Sequence, residues 1–454
     1  MIRGAIRFAD AASAGTRCIA VLCAAFLVAA SGISQAAAAP VGVATWNMNW
    51  LMDADTHARW AGACAKHGWP VQTSVLPAEA RAELSSLPYC NVHNGMRFPP
   101  DACTSSANDW PHAAHYPATH ACRDTADLAT WSDYARKLAA LRAMFEVLAK
   151  SGVTVVALQE VANAAAVAPL LPPGWQVATT HELPGTPRIA QHVGVAWAPA
   201  AEVHAIAPIS SLADGGVAER PLRPGLAFTL PVAGKAVRVL VVHLKAGCRS
   251  RTIDAPLTVR DARLSMERQD QIASDCAMLR FQIPALEAWI DANASSDFAV
   301  VGDFNRTLLR EPIQDTATVR SRLDDSAATD PVGPCTMEKQ GNRLVVRCPA
   351  RIASLFPEIN DGSPFGATLW RARLNRDRPS SGCRIAGAHG NLAHEGIDHV
   401  LISASLKRRL AADALSMQVV NFTDTAGAAL RATPDLALPS DHCPHVVMWS
   451  PLVR

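Results

Sequence analysis

Val300-Val301-Gly302-Asp303-Phe304-Asn305 is the stretch on which the reading of this chain turns. Two β-branched residues end a short apolar run that begins at Phe298, which predicts a buried strand. A glycine follows, then an acid and an amide. Asp303 alone reads as a turn former or helix cap, the ordinary use of a short polar side chain after a strand. The pattern recurs, however. Val43-Ala44-Thr45-Trp46 runs into Asn47-Met48-Asn49, and Val155-Val156-Ala157-Leu158 into Gln159-Glu160. Val239-Leu240-Val241-Val242 runs into His243-Leu244-Lys245, Gly396-Ile397 into Asp398-His399, and Pro439-Ser440 into Asp441-His442. Functional groups in open α/β sheets collect where strands end. Capping explains one such element more readily than six.

Around these elements the chain alternates between strand and helix patterns. Strands are predicted at Val43 to Trp46, Val153 to Leu158, Val193 to Trp197, Val237 to His243, Phe298 to Val301, Ile397 to Ile402 and His445 to Trp449. Ser132 is a candidate cap for a helix whose Leu138, Leu141, Phe145 and Leu148 share one face, and Gly152 ends it. A second helical stretch runs from about Arg260 to Ala292 with Pro284 expected to kink it. Strand–helix–strand units mixed with helix-free neighbours predict an α/β domain with mixed sheets.

The N-terminus reads as a leader. Arg3, Arg7 and Arg17 precede an apolar run from Cys18 to Ala30, and Ala36 to Ala39 follow as an A-x-A-type cleavage site. Residues 1–39 are therefore expected to be a signal peptide and 40–454 the catalytic domain, secreted or periplasmic. An uncleaved anchor is the alternative, but the run is shorter than the roughly 20 residues a spanning helix needs. The chain has 42 basic and 40 acidic residues, and removing three Arg and Asp10 leaves 39 of each. Such balance excludes a protein built to coat nucleic acid nonspecifically and leaves room for a local basic groove. Candidates for one are Lys245, Arg249, Arg251, Arg260, Arg263, Arg268, Arg306 and Arg310, or Arg371, Arg373, Arg376 and Arg378. Interspersed acids make a solvated helix face the plainer reading.

Ten cysteines follow the leader, an even number that reads as a disulfide framework in an exported protein. Cys335 with Cys348 would staple a hairpin turning at Gly341-Asn342, Cys248 pairs reasonably with Cys276, and Cys383 with Cys443 follows by elimination. Residues 53–130 lack long apolar runs and hold Cys64, Cys90, Cys103 and Cys122. They read as a disulfide-stapled insertion between the first strand and the first helix. Cys64-x-x-His67 and Cys90-x-x-His93 also have zinc-ligand spacing, an alternative that export disfavours.

Trp46-Asn47, Gln159-Glu160, Gly302-Asp303-Phe304-Asn305, Ile397-Asp398-His399-Val400 and Ser440-Asp441-His442 resemble, in this order, the motifs of the endonuclease/exonuclease/phosphatase superfamily, the deoxyribonuclease I-like fold. Val242-His243-Leu244-Lys245 is similar to the matching strand of secreted bacterial nucleases in that group. The resemblance spans residues 41–51 and about 132–450. It implies two mixed β-sheets packed face to face with helices outside, a four-layer sandwich, here with the Cys-rich insertion. It also implies a metal-dependent phosphodiesterase. A hard cation such as Mg²⁺, or Mn²⁺ or Ca²⁺, takes oxygen ligands and neutralises phosphate charge. Glu160 is the first candidate ligand, and the resemblance puts Asn47 and Asp441 near the ion or the phosphate. His442 is implied as general base with Asp398 on its other nitrogen, and His243 as phosphate donor or acid. Asp303 would orient the nucleophile or join the metal site, and Asn305 would bind a phosphoryl oxygen. Lys245, Arg306 and Asn49 are candidate substrate contacts; many relatives carry an acid where Asn49 stands.

The expected substrate is nucleic acid, DNA or RNA. Sphingomyelin-like lipids or inositol phosphates on the same scaffold are the alternatives, and a non-catalytic binding protein is a third. The full set of acids and histidines argues against the last.

Overall fold

A computed structural model of the chain describes residues 39–67, 77, 79–80, 83, 86–87, 131–214, 221–248, 253, 266–308, 336–340, 343–347, 354–374, 397–420, 440 and 442–452. The expected leader therefore lies outside the described residues, apart from Ala39. So do Cys90, Cys103, Cys122, Cys335, Cys348, Cys383, Asp441 and most of the basic residues of the proposed groove. Among the described residues, no helix is long and apolar enough to cross a membrane.

In chain order the elements are β1 (Val41–Leu51), α1 (Ala54–His67), α2 (Trp131–Lys150), β2 (Val153–Val161), α3 (Ala164–Val167), β3 (Gln176–Thr179), β4 (His192–Trp197), β5 (His204–Ile209), β6 (Gly225–Val232) and β7 (Lys235–His243). There follow α4 (Met266–Ala292), β8 (Phe298–Asp303), β9 (Thr336–Gln340), β10 (Arg343–Arg347), α5 (Leu355–Ile359), β11 (Leu369–Arg371), β12 (Arg373–Leu374), β13 (Asp398–Ser403), α6 (Ala404–Lys407), β14 (Ser416–Val419) and β15 (His445–Trp449). Every strand expected from sequence forms, and β9 and β10 make the expected antiparallel hairpin. Ser132 lies inside α2 rather than capping it, because the helix already starts at Trp131. Pro284 sits within α4, which continues on both sides of it.

Two mixed sheets result. One is seven-stranded, in the order β12-β14-β15-β1-β2-β4-β3, and the other six-stranded, β11-β13-β8-β7-β6-β5. Their facing surfaces enclose one core, with Val155, Val195, Phe228, Val239, Val241, Val301, Val447 and Trp449 in it. The runs of buried β-branched residues in β2, β7 and β8 follow from burial of both faces of these strands. On the outer face of the first sheet, α2 presents Leu141, Phe145 and Leu148. On that of the second, α4 presents Leu279, Ile283, Leu286 and Ile290. This is the helix–sheet–sheet–helix sandwich. Truncating one of its large core residues, Phe228 for instance, would cost about 3–5 kcal/mol.

The expected insertion after β1 opens with a helix. Residues 54–67 form α1, whose Trp60, Ala63 and Cys64 pack with Tyr134 of α2. Cys64 is disulfide-bonded, so it offers no thiolate to zinc. Cys443 is also disulfide-bonded, and Cys248 pairs with Cys276.

Candidate active site

Each sheet has a parallel pair near its centre, β1 with β2 and β7 with β8. Parallel partners end on the same rim. In the first pair Asn47 lies opposite Gln159, next to Glu160; in the second His243 lies opposite Asp303. β13 runs antiparallel to β8 and begins with Asp398 opposite Asp303, so its start joins the same rim. β15 runs antiparallel to β1, which brings the preceding His442 there as well. The topology thus gathers Asn47, Glu160, His243, Asp303, Asp398 and His442 without long loops.

Local irregularities aim the side chains. The ladder of β1 with β2 shifts register between Asn47 and Leu51, and that of β2 with β4 between Leu158 and Val161. Bulges of this kind redirect side chains next to functional sites. Asn49, Trp50, Glu160 and Asn305 all have positive φ, between 50° and 58°, a conformation that non-glycine residues adopt only where their surroundings hold them. The holding groups are visible. Tyr134 accepts from the Met52 N–H at 2.6 Å and donates to the Trp50 carbonyl at 3.2 Å. Lys137, buried, donates to the Asn49 carbonyl. The Trp50 N–H so placed donates to Glu160 Oε2 at 3.2 Å. Gly302 has φ of 142°, and a Cβ there would lie 2.0 Å from the Val242 carbonyl oxygen. Only glycine lets β7 and β8 approach this closely just before His243 and Asp303 emerge.

At the centre, Asn47 Nδ2 donates to Glu160 Oε1 at 3.2 Å and to Asp303 Oδ2 at 3.1 Å, while its Oδ1 accepts from the Asn49 N–H. Asn47 therefore bridges two carboxylates and turns its nitrogen, not its oxygen, toward them. Ser440 fixes this strand end by donating to the Asn47 carbonyl at 2.7 Å. His243 Nε2 lies 3.7 Å from Glu160 and 3.6 Å from Asp303. Burial, then the charges of Arg223, His442 and Lys245, hold its imidazole well below the usual histidine range, so it is neutral at pH 7. Burial, then the charge of Asp398, pushes Asp303 up to about 7.

Beside this cluster His442 Nδ1 meets Asp398 Oδ2 at 2.7 Å, and His442 Nε2 lies 3.9 Å from Asp303 Oδ2. Burial alone would raise Asp398. The charge of His442 and its hydrogen bond outweigh that, and hold the carboxyl below the usual range. Asn305 closes the rim: its backbone N–H donates to Asp303 Oδ1 at 2.7 Å and its Nδ2 to the Leu244 carbonyl at 2.9 Å.

Asp303, Asp398 and His442 offer ligand atoms within 4.8 Å of one another. The short contact between His442 Nδ1 and Asp398 suits that pair to proton transfer. Glu160 and Asp303 are better matched to a hard divalent ion, which favours carboxylate oxygen. Asp303 supplies the structural reason, since a nearby cation would relieve the penalty that burial and Asp398 place on its ionised form.

The three expected substrate contacts have other partners. Lys245 Nζ pairs with Asp275 at 2.8 Å and donates to the Ala246 carbonyl at 2.7 Å, fastening its loop to α4. Arg306 is buried and donates to the Cys248 carbonyl at 3.1 Å, because the disulfide between Cys248 and Cys276 brings that loop onto it. Asn49 is buried in the strained turn described above. Asp441 is outside the described residues. Sequence reasoning missed Tyr134, Lys137, Arg223 and Gln191. For Arg223 a signal exists, an arginine between prolines in Pro221-Leu222-Arg223-Pro224 just before an apolar strand.

The arrangement suits water attack on an anionic ester: carboxylates for a cation on one side, an imidazole with an oriented lone pair on the other. The sequence profile of the Endonuclease/Exonuclease/phosphatase family matches residues 130–442, and the chain belongs to that family. Its members are phosphoric ester hydrolases and generally use divalent metal ions. Among solved structures, similarity is found to TDP2 from C. elegans, with 14% identity over 76% of this chain and 82% of that one and a TM-score of 0.34. The human Nocturnin catalytic domain with bound sulfate is similar at 14% identity over 71% and 88%, with a TM-score of 0.33. ANGEL2, described as a 2',3'-cyclic phosphatase, is similar at 14% identity over 78% and 92%, with a TM-score of 0.34. A search of curated proteins gives no match.

Proposed function

We propose that this chain is an exported, divalent-metal-dependent phosphodiesterase that hydrolyses nucleic acid, DNA or RNA, by water attack on phosphorus. The observation that carries this reading is the pairing of His442 Nδ1 with Asp398 at 2.7 Å beside the Asn47-bridged carboxylates Glu160 and Asp303. In its uncharged form, with Nδ1–H donated to Asp398, His442 carries its lone pair on Nε2, where it accepts the proton of an attacking water. Asp303, 3.9 Å from Nε2, orients that water. His243, neutral and with its Nε2 3.6–3.7 Å from the same two carboxylates, donates a hydrogen bond to a phosphoryl oxygen. Glu160 and Asp303, bridged by Asn47, would hold the ion together with Asp441; we take it to be Mg²⁺, with Mn²⁺ or Ca²⁺ as alternatives. When bound, it neutralises phosphate charge and so lowers the barrier to attack.

Export is supported by the leader-like residues 1–39 and by disulfides at Cys248, Cys276, Cys64 and Cys443, which persist in oxidising compartments. The function is tested by incubating purified protein with plasmid DNA, RNA, sphingomyelin and inositol phosphates, with and without EDTA. Chelator-sensitive cleavage of a nucleic acid is expected. Hydrolysis of the lipid or the inositol phosphate alone would reassign the substrate, and chelator-insensitive hydrolysis would overturn the metal role.

A further inference from the structure

Resting on that reading, we infer that Arg223 is a positioning residue that sets His243 and Asn305 through the backbone between them. Arg223 lies in the segment before β6. Its guanidinium makes three hydrogen bonds at once. Nε donates to the His243 carbonyl at 3.0 Å, Nη2 to the Leu244 carbonyl at 2.8 Å, and Nη1 to Gln191 Oε1 at 2.6 Å.

Each acceptor matters to the site. The His243 and Leu244 carbonyls stand where the chain leaves β7, and the orientation of the peptide between them bears on where the His243 ring stands. The Leu244 carbonyl also accepts from Asn305 Nδ2 at 2.9 Å. Arg223 and Asn305 therefore share one oxygen, and tilting that carbonyl moves the amide. Gln191, buried, directly precedes β4 of the opposite sheet. Through it the rim carrying His243 is tied to the rim carrying Glu160, since β4 pairs with β2 at Val161 and His192. A planar fork with donors in fixed directions can serve three acceptors together; a lysine ammonium of the same charge cannot reproduce that geometry.

The test is a double-mutant cycle. Arg223→Lys should keep the fold and the charge but lower kcat on the cleaved substrate by about 10- to 100-fold with KM nearly unchanged, as sub-ångström misplacement of reacting groups does. Arg223→Ala should lose at least as much, and millimolar methylguanidinium should restore part of its kcat. In an Asn305→Ala background the same Arg223→Lys change should cost at least about threefold less than in the wild type, because residues acting through one another are not additive, the remainder being its effect on His243. Wild-type kcat in Arg223→Lys would overturn the inference, as would an equal loss in both backgrounds, while leaving the proposed function intact. A wild-type protein inactive on every phosphoester would overturn both.

Discussion

Replacing Asp398 by asparagine probes the proton-transfer half of the site with almost no change in volume. In the native arrangement the carboxylate accepts from His442 Nδ1 at 2.7 Å. That bond selects the tautomer with its lone pair on Nε2, the nitrogen 3.9 Å from Asp303. A charge-assisted bond of this length contributes about 1.5–3 kcal/mol, which at 1.4 kcal/mol per decade is about 10- to 100-fold in rate. Asparagine does more than weaken the bond. Its amide N–H can donate to Nδ1, which moves the proton to Nε2 and removes the base. The expected loss in kcat is therefore about 10²–10⁴-fold. The assay is steady-state hydrolysis of the cleaved nucleic acid at pH 7–8, with circular dichroism to verify the fold. Stability offers a second readout. Asp398 is held below the usual carboxylate value, so its contribution is present above about pH 4 and lost as pH falls through the folded value. The variant should show a flatter acid limb of Tm. A folded Asp398→Asn protein with kcat within about threefold of wild type would refute this use of acid–base catalysis.

Asp303→Asn should abolish turnover yet raise Tm near pH 8 in chelator. A carboxyl pushed up to about 7 binds more protons folded than unfolded, so its ionisation destabilises the fold as pH rises from about 4 to 7, by on the order of a few kcal/mol. Millimolar Mg²⁺ should raise the Tm of the wild type more than that of the variant. His192, held to about 4 mainly by burial, stays neutral in the fold while the unfolded chain protonates. Stability should therefore fall as pH drops from about 6.5 to 4, by about 3 kcal/mol from this group, and urea titrations of His192→Gln should show a shallower fall. Opening the disulfide between Cys248 and Cys276 by a Cys276→Ser change frees a span of 28 residues and should cost about 3–4 kcal/mol. An unchanged denaturation midpoint would count against the loop being held in this way.

Strand ends were legible because apolar runs and the polar residues that stop them are adjacent in sequence. Asn47, Glu160, His243, Asp303, Asp398 and His442 could be named for that reason, although only sheet register brings His243 opposite Asp303 and Asp398 opposite it again. Residues acting on backbone carbonyls left little trace. Nothing in the sequence says which carbonyl Lys137 or Arg223 will reach, because that depends on packing of α2 on β1 and on the turn after β7. Arg306 was misleading for a related reason. It follows Asn305 directly, but disulfide closure encloses it under Cys248. β5 and β6 went unread because Pro208, Pro231 and Gly225 interrupt their patterns. Both are tolerated, since β5 is an edge strand and Pro231 stands near the end of β6.

We propose that one metal-dependent site, built on the rim where the central parallel pairs β1–β2 and β7–β8 end, cleaves phosphodiesters. Its most direct test is cleavage of plasmid DNA and RNA by the wild type, His442→Ala and Glu160→Ala at matched concentration, titrated with Mg²⁺ after exhaustive chelation. Mg²⁺ should restore cleavage by the wild type, His442→Ala should lose at least about 10²-fold at saturating metal, and Glu160→Ala should shift the Mg²⁺ dependence to higher concentration. Folded variants that cleave like the wild type, or cleavage indifferent to chelation, would contradict it.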